Sequence, residues 1–173
     1  MEPLFTIGHS TRPIEKFIEM LQGHHITLLV DVRTIPRSRY NPQFNKETLA
    51  DALKATGIRY LHCKNLGGLR HAAKDSVNTG WRNKSFRGYA DYMGTAAFSQ
   101  ALEEIIDYAQ KGQRVTMMCA EGAPFRCHRS LIADTVLVRG LEICEISSAT
   151  RATPHKLTPF ARLEQGRITY PQA

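Results

Sequence analysis

Short apolar runs alternate along this chain with longer segments whose apolar residues recur every three or four positions. The apolar runs predict five strands, LFTIG, ITLLVDVR, IRYLHC, RVTMMC and LEICEIS. The second and fourth runs are continuous enough to be buried on both faces of a sheet. The periodic segments predict four helices, IEKFIEMLQ, KETLADALKATG, SQALEEIIDYAQKG and the stretch between Cys127 and Gly140.

Strands that alternate with helical segments are typical of parallel βαβ units with right-handed crossovers. The pattern therefore predicts an α/β fold, a three-layer sandwich around a mostly parallel sheet of about five strands. Two segments break the alternation, a basic and aromatic excursion over residues 65–94 and a C-terminal tail over residues 148–173. Since we find no repeat or linker, we expect a single domain over residues 1–173, with the tail packed on or over the functional crevice.

Composition and charge narrow the class of protein. With 42% hydrophobic and 23% charged residues among 173, the chain has the composition of a soluble globular protein. It has no apolar run long enough for a membrane span and no secretory signal, so we expect a cytoplasmic protein without membrane attachment. The net charge of +7 favours a phosphate-bearing partner such as DNA or RNA.

Polar residues that can carry chemistry follow the ends of the predicted strands. His9 follows the first strand, and Asp31 and Arg33 end the second. Cys119 and Glu121 end the fourth strand. Because ligands of open parallel sheets bind at the carboxyl ends of the strands, we expect these five residues to face one crevice. There His9 and Asp31 can form an acid–base pair, or His9 can simply bond to the loop after the second strand.

Several segments spread over nearly the whole chain resemble one known family. They are TIGHS, LVDVRTIPRSR, RYLHCKNLGGLR, FRGYADYM, MCAEGAPFRCHRSLIAD and PHKLT. This set resembles the family known as domain of unknown function 488, for which the combination of CAE, CHR and GHS is specific. The resemblance implies an α/β fold and a cytoplasmic bacterial or archaeal protein, and it suggests nucleic-acid metabolism without supplying a reaction. The residues at the motif positions are His9, Asp31, Arg33, Gly67, Gly68, Cys119, Glu121, Cys127, His128 and Arg129.

Cys119 has two interpretations. A thiol at a strand end, ahead of a helix N-terminus and near Arg126 and Arg129, is placed to be a stabilised thiolate nucleophile. That order of residues is similar to thiolate phosphatases and rhodanese-like sulfurtransferases. However, the spacing is Cys-x6-Arg rather than Cys-x5-Arg, and Glu121 suits a phosphate cradle poorly. The alternative is a buried cysteine that ends a core strand.

Cys127 and His128 also have structural and chemical interpretations. If Pro124 begins the helix, Cys127 lies early in it and can simply pack against the core. His128 can act as a general base for Cys119 or hydrogen-bond a carbonyl group. The spacing of these cysteines and His128 does not match a zinc site, so we predict no metal. A redox pair of Cys119 and Cys127 remains a further alternative.

Arginine side chains and the 65–94 excursion supply candidates for anion binding. Those predicted to hold a phosphate-bearing ligand are Arg33, Arg37, Arg39, Arg126 and Arg129, together with Cys127, His128 and the Gly67-Gly68 loop. The alternative for Arg33 is an ion pair with Asp31 or Glu121. The residues predicted to contact nucleic acid are Arg82, Lys84, Arg87, Trp81 and Tyr89, since cations neutralise phosphates and aromatic rings stack on bases. Alternatively, these aromatic rings pack on the sheet.

Three functional hypotheses follow. The first is a protein that binds and processes a nucleotide or nucleic acid, with Cys119 or Glu121 carrying the chemistry and His9 and Asp31 assisting proton transfer. The second is a small-molecule thiolate enzyme, a phosphatase or a sulfurtransferase, that uses Cys119. The third is a non-catalytic binding module. The chain contains neither GxGxxG nor GxxxxGK[ST], which argues against a Rossmann dinucleotide site or an ATPase and leaves no cofactor to name.

Overall fold

The computed structural model of the chain describes residues 1–172 and contains a central sheet of six strands. The strands are β1 (Leu4–Gly8), β2 (Leu28–Asp31), β3 (Arg59–His62), β4 (Val115–Cys119), β5 (Ile143–Ile146) and β6 (Ala152–Pro154). Their order is β3-β2-β4-β1-β5-β6, in which β1 to β5 are parallel and β6 pairs antiparallel with β5. The predicted, mostly parallel sheet is confirmed, and β6 is an additional edge strand.

Helices cover both faces of this sheet and complete the predicted three-layer sandwich. The helices are α1 (Ile14–Gly23), α2 (Lys46–Lys54), α3 (Lys84–Tyr92), α4 (Ala96–Gln110) and α5 (Arg129–Val138). Apolar residues of α1 and α2 form one core, and those of α3, α4 and α5 form the other. Along β2, Leu28 and Val30 belong to the second core and Leu29 to the first, because successive strand residues point to opposite faces. Within residues 1–172, no helix combines the length and the apolar composition needed to cross a membrane.

Strand β4 lies between β1 and β2, and this order brings the predicted site residues to one edge of the sheet. Gly8 is in register with Cys119, and the amide of His9 donates to the carbonyl of Cys119 at 2.9 Å. On the other side, Asp31 is in register with Met118. The loops that follow β1, β2 and β4 therefore leave the sheet side by side.

The C-terminal tail lies along the sheet edge and against the excursion rather than over the predicted crevice. After β6 it forms the hairpin of β7 (Arg162–Glu164) and β8 (Arg167–Thr169). Tyr170 is fully buried and accepts a hydrogen bond from the amide of Gly80 through its carbonyl at 2.7 Å. No residue between 148 and 172 lines the crevice. The expected packing over the crevice is therefore corrected, because pairing with β5 and burial of Tyr170 hold the tail elsewhere.

Candidate functional site

A cavity of about 340 Å³ opens at the carboxyl ends of β2 and β4. Its walls come from the loops that follow these strands, from the Gly67-Gly68 loop and from the start of α3. The predicted site residues that line it are Arg33, Arg37, Gly68, Tyr89, Cys119, Glu121, Arg126, Cys127 and His128. Of the five residues that the strand-end argument selected, three line this cavity, and His9 and Asp31 do not.

Arg129 lies behind Cys119, and all five of its guanidinium N–H groups have acceptors within the protein. Nε and Nη2 donate to the Glu145 carboxylate at 3.2 and 2.7 Å. Nη2 also donates to the carbonyl of Gly122 at 3.0 Å, and Nη1 to that of Glu121 at 2.6 Å. Nη1 lies 2.6 Å from the sulfur of Cys119. Arg129 is fully buried and has no free donor, so this placement favours a supporting role over the predicted direct contact with a ligand.

A helix that starts at Pro124 would include Cys127, but in the structure Cys127 lies outside any helix. Pro124 begins the short 3-10 turn Pro124–Arg126, and Cys127 follows with extended backbone angles of −135° and 147° before α5. The sulfurs of Cys119 and Cys127 are in contact, and their Cα atoms are 7.4 Å apart. Because that Cα separation is longer than a disulfide usually bridges, this arrangement favours two reduced thiols over a disulfide.

His128 faces Cys127 rather than Cys119. Its Nε2–H donates to the carbonyl of Val32 at 3.0 Å, which leaves Nδ1 unprotonated and 3.6 Å from the sulfur of Cys127. Burial lowers the pKa of His128 to about 4, although the carbonyl groups of Val32 and Leu66 favour the protonated ring. His128 is therefore neutral at pH 7, and Nδ1 can accept the proton of Cys127. The predicted role as general base for Cys119 is not supported by this geometry.

Gly67 and Gly68 allow the loop after β3 to approach the neighbouring loop closely. A Cβ atom on Gly67 would lie 2.9 Å from the Cα of Thr34, and one on Gly68 would lie 3.2 Å from Nδ1 of His128. The hydroxyl of Thr34 donates to the carbonyl of Gly68 at 2.7 Å. These glycines are therefore explained by close packing, and Gly68 also forms part of the cavity wall.

Asp31 and Arg33 form a buried ion pair. The carboxylate of Asp31 accepts from the backbone amide, Nε and Nη2 of Arg33 at 3.1, 2.9 and 2.7 Å, and also from the hydroxyl of Tyr60. Nη2 of Arg33 also donates to the carbonyl of Phe44 at 2.7 Å. The ion-pair alternative for Arg33 is thus the observed one, and it leaves little of the guanidinium for a ligand.

His9 is linked to Asp31 through Arg33 and does not form the predicted acid–base pair with it. Its Nδ1–H donates to the carbonyl of Ser10 at 2.8 Å, and Nη1 of Arg33 lies 3.4 Å from Nε2. The ring stacks on Phe44 with 4.3 Å between centroids. Burial lowers the pKa of His9 to about 4, and the positive charge of Arg33 acts in the same direction. His9 is therefore a neutral, structurally fixed group at pH 7.

Exposed charges remain at the mouth of the cavity. Arg37, Arg126 and Glu121 are exposed, and all three line the cavity. Arg39 is exposed on the same loop as Arg37, with its guanidinium carbon 5.8 Å from the ring centroid of Tyr40. Of the predicted anion-binding arginines, Arg37, Arg39 and Arg126 are therefore the ones free to meet a ligand.

The aromatic residues predicted to contact nucleic acid are mostly packed inside the protein. Trp81 packs on Phe160 of the tail with 4.8 Å between ring centroids. Tyr89 is buried and donates its hydroxyl to a backbone carbonyl at 2.8 Å. The guanidinium of Arg87 donates to the carbonyl of Trp81 at 2.9 and 3.2 Å. These groups hold the excursion in place, and of the predicted set only Arg82 and Lys84 are exposed.

Glu145 is the site residue that sequence reasoning missed. It lies on β5 and fixes the guanidinium of Arg129. A signal was present, since two acidic residues, Glu142 and Glu145, interrupt the apolar run LEICEIS, and Glu145 lies within β5. A carboxylate in a mostly buried strand needs a partner, and Arg129 is that partner.

Fold and site together define a three-layer α/β protein with a pair of cysteines beneath a basic cavity at the carboxyl edge of its sheet. Residues 13–136 match the family described as Domain of unknown function DUF488, and the chain belongs to that family. The matched region includes the segment from Cys119 to Arg129, while His9 and Glu145 lie outside it. Comparisons with curated proteins and with solved structures gave no match.

Proposed function

We propose that this chain is a thiol-dependent enzyme that binds a phosphate-bearing ligand, a nucleotide alone or within nucleic acid, and processes it with Cys119 as nucleophile. The observation that carries the proposal is the contact between the buried guanidinium of Arg129 and the sulfur of Cys119 at 2.6 Å. A fixed cation beside a sulfur stabilises the negative charge of its thiolate form. We place the protein in the cytoplasm, where thiols stay reduced.

The cavity supplies the other groups that such a reaction needs. Arg37 and Arg126 line its mouth and can hold the phosphate oxygens. The thiolate of Cys119 attacks phosphorus, forming a P–S bond as the P–O bond to the leaving group breaks. Glu121, which lines the same cavity, protonates the leaving oxygen and then takes a proton from the water that cleaves the P–S bond. From a phosphomonoester, inorganic phosphate and the free thiolate result. From a phosphodiester within nucleic acid, a strand with a phosphomonoester end and the free thiolate result.

A second candidate is sulfur transfer, favoured by the contact between the sulfurs of Cys119 and Cys127. In that reaction the thiolate of Cys119 attacks the outer sulfur of thiosulfate. The S–S bond of thiosulfate breaks, sulfite leaves, and Cys119 holds the transferred sulfur as a persulfide. The thiol of Cys127, next to Nδ1 of His128, is placed to receive it. Release of sulfite from thiosulfate, compared with release of phosphate from an aryl phosphate, distinguishes this candidate from the first.

Mass-mapped alkylation of the native protein by iodoacetamide, as a function of pH, tests the nucleophile. Burial raises the pKa of the thiols of Cys63 and Cys144, so these serve as internal references. We expect Cys119 to react faster than either and to reach its limiting rate at lower pH. Inorganic phosphate or thymidine monophosphate should slow that reaction. If Cys119 reacts only after denaturation, the nucleophile is excluded and a non-catalytic binding module is left.

A further inference from the structure

We infer that the ligand is a single-stranded nucleic acid, bound across the mouth of the cavity by exposed apolar and arginine side chains. This inference rests on the proposed function, because it names the substrate class for the same site. It also moves the nucleic-acid surface from Trp81 and Tyr89 to a different set of residues. We call this set the rim, and it consists of Ile35, Arg37, Arg39, Tyr40, Leu69, Phe125 and Arg126.

Four of the eight large apolar side chains that are exposed within residues 1–172 belong to the rim. Ile35 is 61% exposed, Tyr40 85%, Leu69 73% and Phe125 70%. Ile35 and Leu69 line the cavity directly, whereas Tyr40 and Phe125 lie on the same two loops as the lining residues Arg37 and Arg126. Scattered exposed apolar residues are ordinary, but their concentration around one cavity marks an interaction site.

Each exposed aromatic ring of the rim has an arginine beside it. The guanidinium carbon of Arg39 is 5.8 Å from the ring centroid of Tyr40, and that of Arg126 is 5.6 Å from that of Phe125. Aromatic faces stack on unpaired bases, and neighbouring cations neutralise the phosphates between those bases. This alternation of stacking faces and cations is the chemistry that recognises a single strand.

Charge and size support the same ligand. The cavity mouth carries Arg37 and Arg126 against the acidic Glu121, and the whole chain has a net charge of +7. A cavity of about 340 Å³ is near the small end of ligand pockets, which suits one nucleotide. A base within a duplex would have to leave the stack to enter such a cavity, whereas a base of a single strand is already free. Single strands are therefore favoured over duplexes.

Fluorescence anisotropy with a labelled oligothymidylate of about 12 nucleotides tests the stacking contacts. We expect Tyr40→Ala and Phe125→Ala each to weaken binding by about tenfold, because each removes one stacking face. Leu163→Ala is the matched control, since Leu163 is an exposed apolar residue on β7, away from the rim. An oligouridylate of equal length compares RNA with DNA, and the corresponding duplex should bind more weakly than either strand.

The salt dependence of the same binding tests the arginines. Each phosphate contact of a single strand contributes about −0.7 to the slope of log K against log salt. Arg37→Ala and Arg126→Ala should each make that slope shallower by about this amount. Arg162→Ala, at an exposed position of β7, should leave it unchanged. Affinity that is insensitive both to salt and to the loss of Tyr40 and Phe125 would overturn the inference.

Alkylation of Cys119, measured with and without each ligand, distinguishes failure of this inference from failure of the proposed function. Protection by the oligonucleotide, lost in the variant that combines Tyr40→Ala and Phe125→Ala, supports both. Protection by thymidine monophosphate without oligonucleotide binding overturns the nucleic-acid inference alone. If Cys119 is inert with every ligand although the oligonucleotide binds at the rim, the thiol-dependent function fails and the rim surface stands.

Discussion

The carboxylate of Glu145 on β5 accepts hydrogen bonds from both Nε and Nη2 of Arg129 at distances of 3.2 and 2.7 Å. Arg129 is the first residue of α5. This bidentate pair orients the guanidinium so that Nη1 points to the sulfur of Cys119 and to the carbonyl of Glu121. The position of the positive charge beside the thiol of Cys119 on β4 is therefore fixed by Glu145 on another strand, β5. Since Arg129 is fully buried, its charge and that of Glu145 must compensate one another.

Arg129→Gln should destabilise the protein strongly. The substitution leaves the Glu145 carboxylate without its cation and removes donors from two backbone carbonyls, and breaking a buried pair in this way costs about 3–5 kcal/mol. Urea denaturation at neutral pH measures the loss in the free energy of unfolding. Arg139→Gln is the matched control, because Arg139 pairs with Glu103 at the surface and such pairs contribute at most about 1 kcal/mol. Equal effects of the two substitutions would contradict the buried-pair assignment.

Stability should fall as the pH is lowered from about 6.5 toward 4, because His9 and His128 stay neutral in the folded protein. Burial lowers both pKa values to about 4, whereas a histidine of the unfolded chain is protonated near its ordinary value of 6.5. Between these values the unfolded state binds more protons, so acid favours unfolding. We expect each histidine to contribute a loss on the order of 1–2 kcal/mol between neutral pH and about pH 5.

His128→Gln isolates one of these contributions. A glutamine amide can still donate to the carbonyl of Val32, but it does not titrate. The difference in free energy of unfolding between neutral pH and about pH 5, measured by urea denaturation, should therefore be smaller than in the original chain. If the variant shows the same pH dependence, His128 does not carry a lowered pKa in the folded state.

Asp134→Ala should release the C-terminal tail. The buried carboxylate of Asp134 accepts from Nε2 of His155 and the hydroxyl of Tyr170, both at 2.8 Å, and from the amide of Thr158 at 3.1 Å. Without it three donors lose their acceptor, and each buried donor left unpaired costs about 1–3 kcal/mol. We expect faster tryptic cleavage within residues 155–172 and a lower free energy of unfolding. Asp75→Ala, at an exposed position, should change neither quantity.

Much of the fold could be predicted because buried strands and amphipathic helices leave periodic apolar patterns. Runs such as RVTMMC and segments such as SQALEEIIDYAQKG correspond to β4 and α4. The location of the site could be predicted from the same strand assignment, since the carboxyl ends of neighbouring parallel strands lie together. Strand β6 was missed because its three residues are largely exposed and end in Pro154, so they carry no apolar pattern.

The roles of charged and aromatic residues within the site could not be predicted in the same way. Arg33 and Arg129 are arginines near the predicted site, so the sequence predicts that they bind anions. In the structure their guanidinium groups are paired with the carboxylates of Asp31 and Glu145. Only three-dimensional contact reveals such partners. Tyr40 and Trp81 are both aromatic residues close to arginines in the sequence. One is exposed and the other is packed against the tail, because burial depends on distant segments of the chain.

Trp81 provides the sharpest distinction between packing and nucleic-acid binding. Its ring contacts Phe86, Phe160 and Tyr170 with centroid distances of 5.1, 4.8 and 5.4 Å, and its Nε1–H is buried with no acceptor among residues 1–172. Trp81→Ala should therefore lower the free energy of unfolding by about 2–4 kcal/mol. Trp81→Phe keeps the packing and removes the unpaired donor, so its cost should stay below about 1.5 kcal/mol.

Trp81→Phe should also leave the affinity for oligothymidylate within about twofold of the original value, because the indole packs against Phe86, Phe160 and Tyr170 rather than standing free at the surface. Urea denaturation and fluorescence anisotropy on the same preparation give both quantities. Tyr40→Ala is expected to do the opposite, with little change in stability and about tenfold weaker binding, since Tyr40 is exposed. If Trp81→Phe weakened binding tenfold at unchanged stability, the excursion would be the nucleic-acid surface, as the sequence alone suggested.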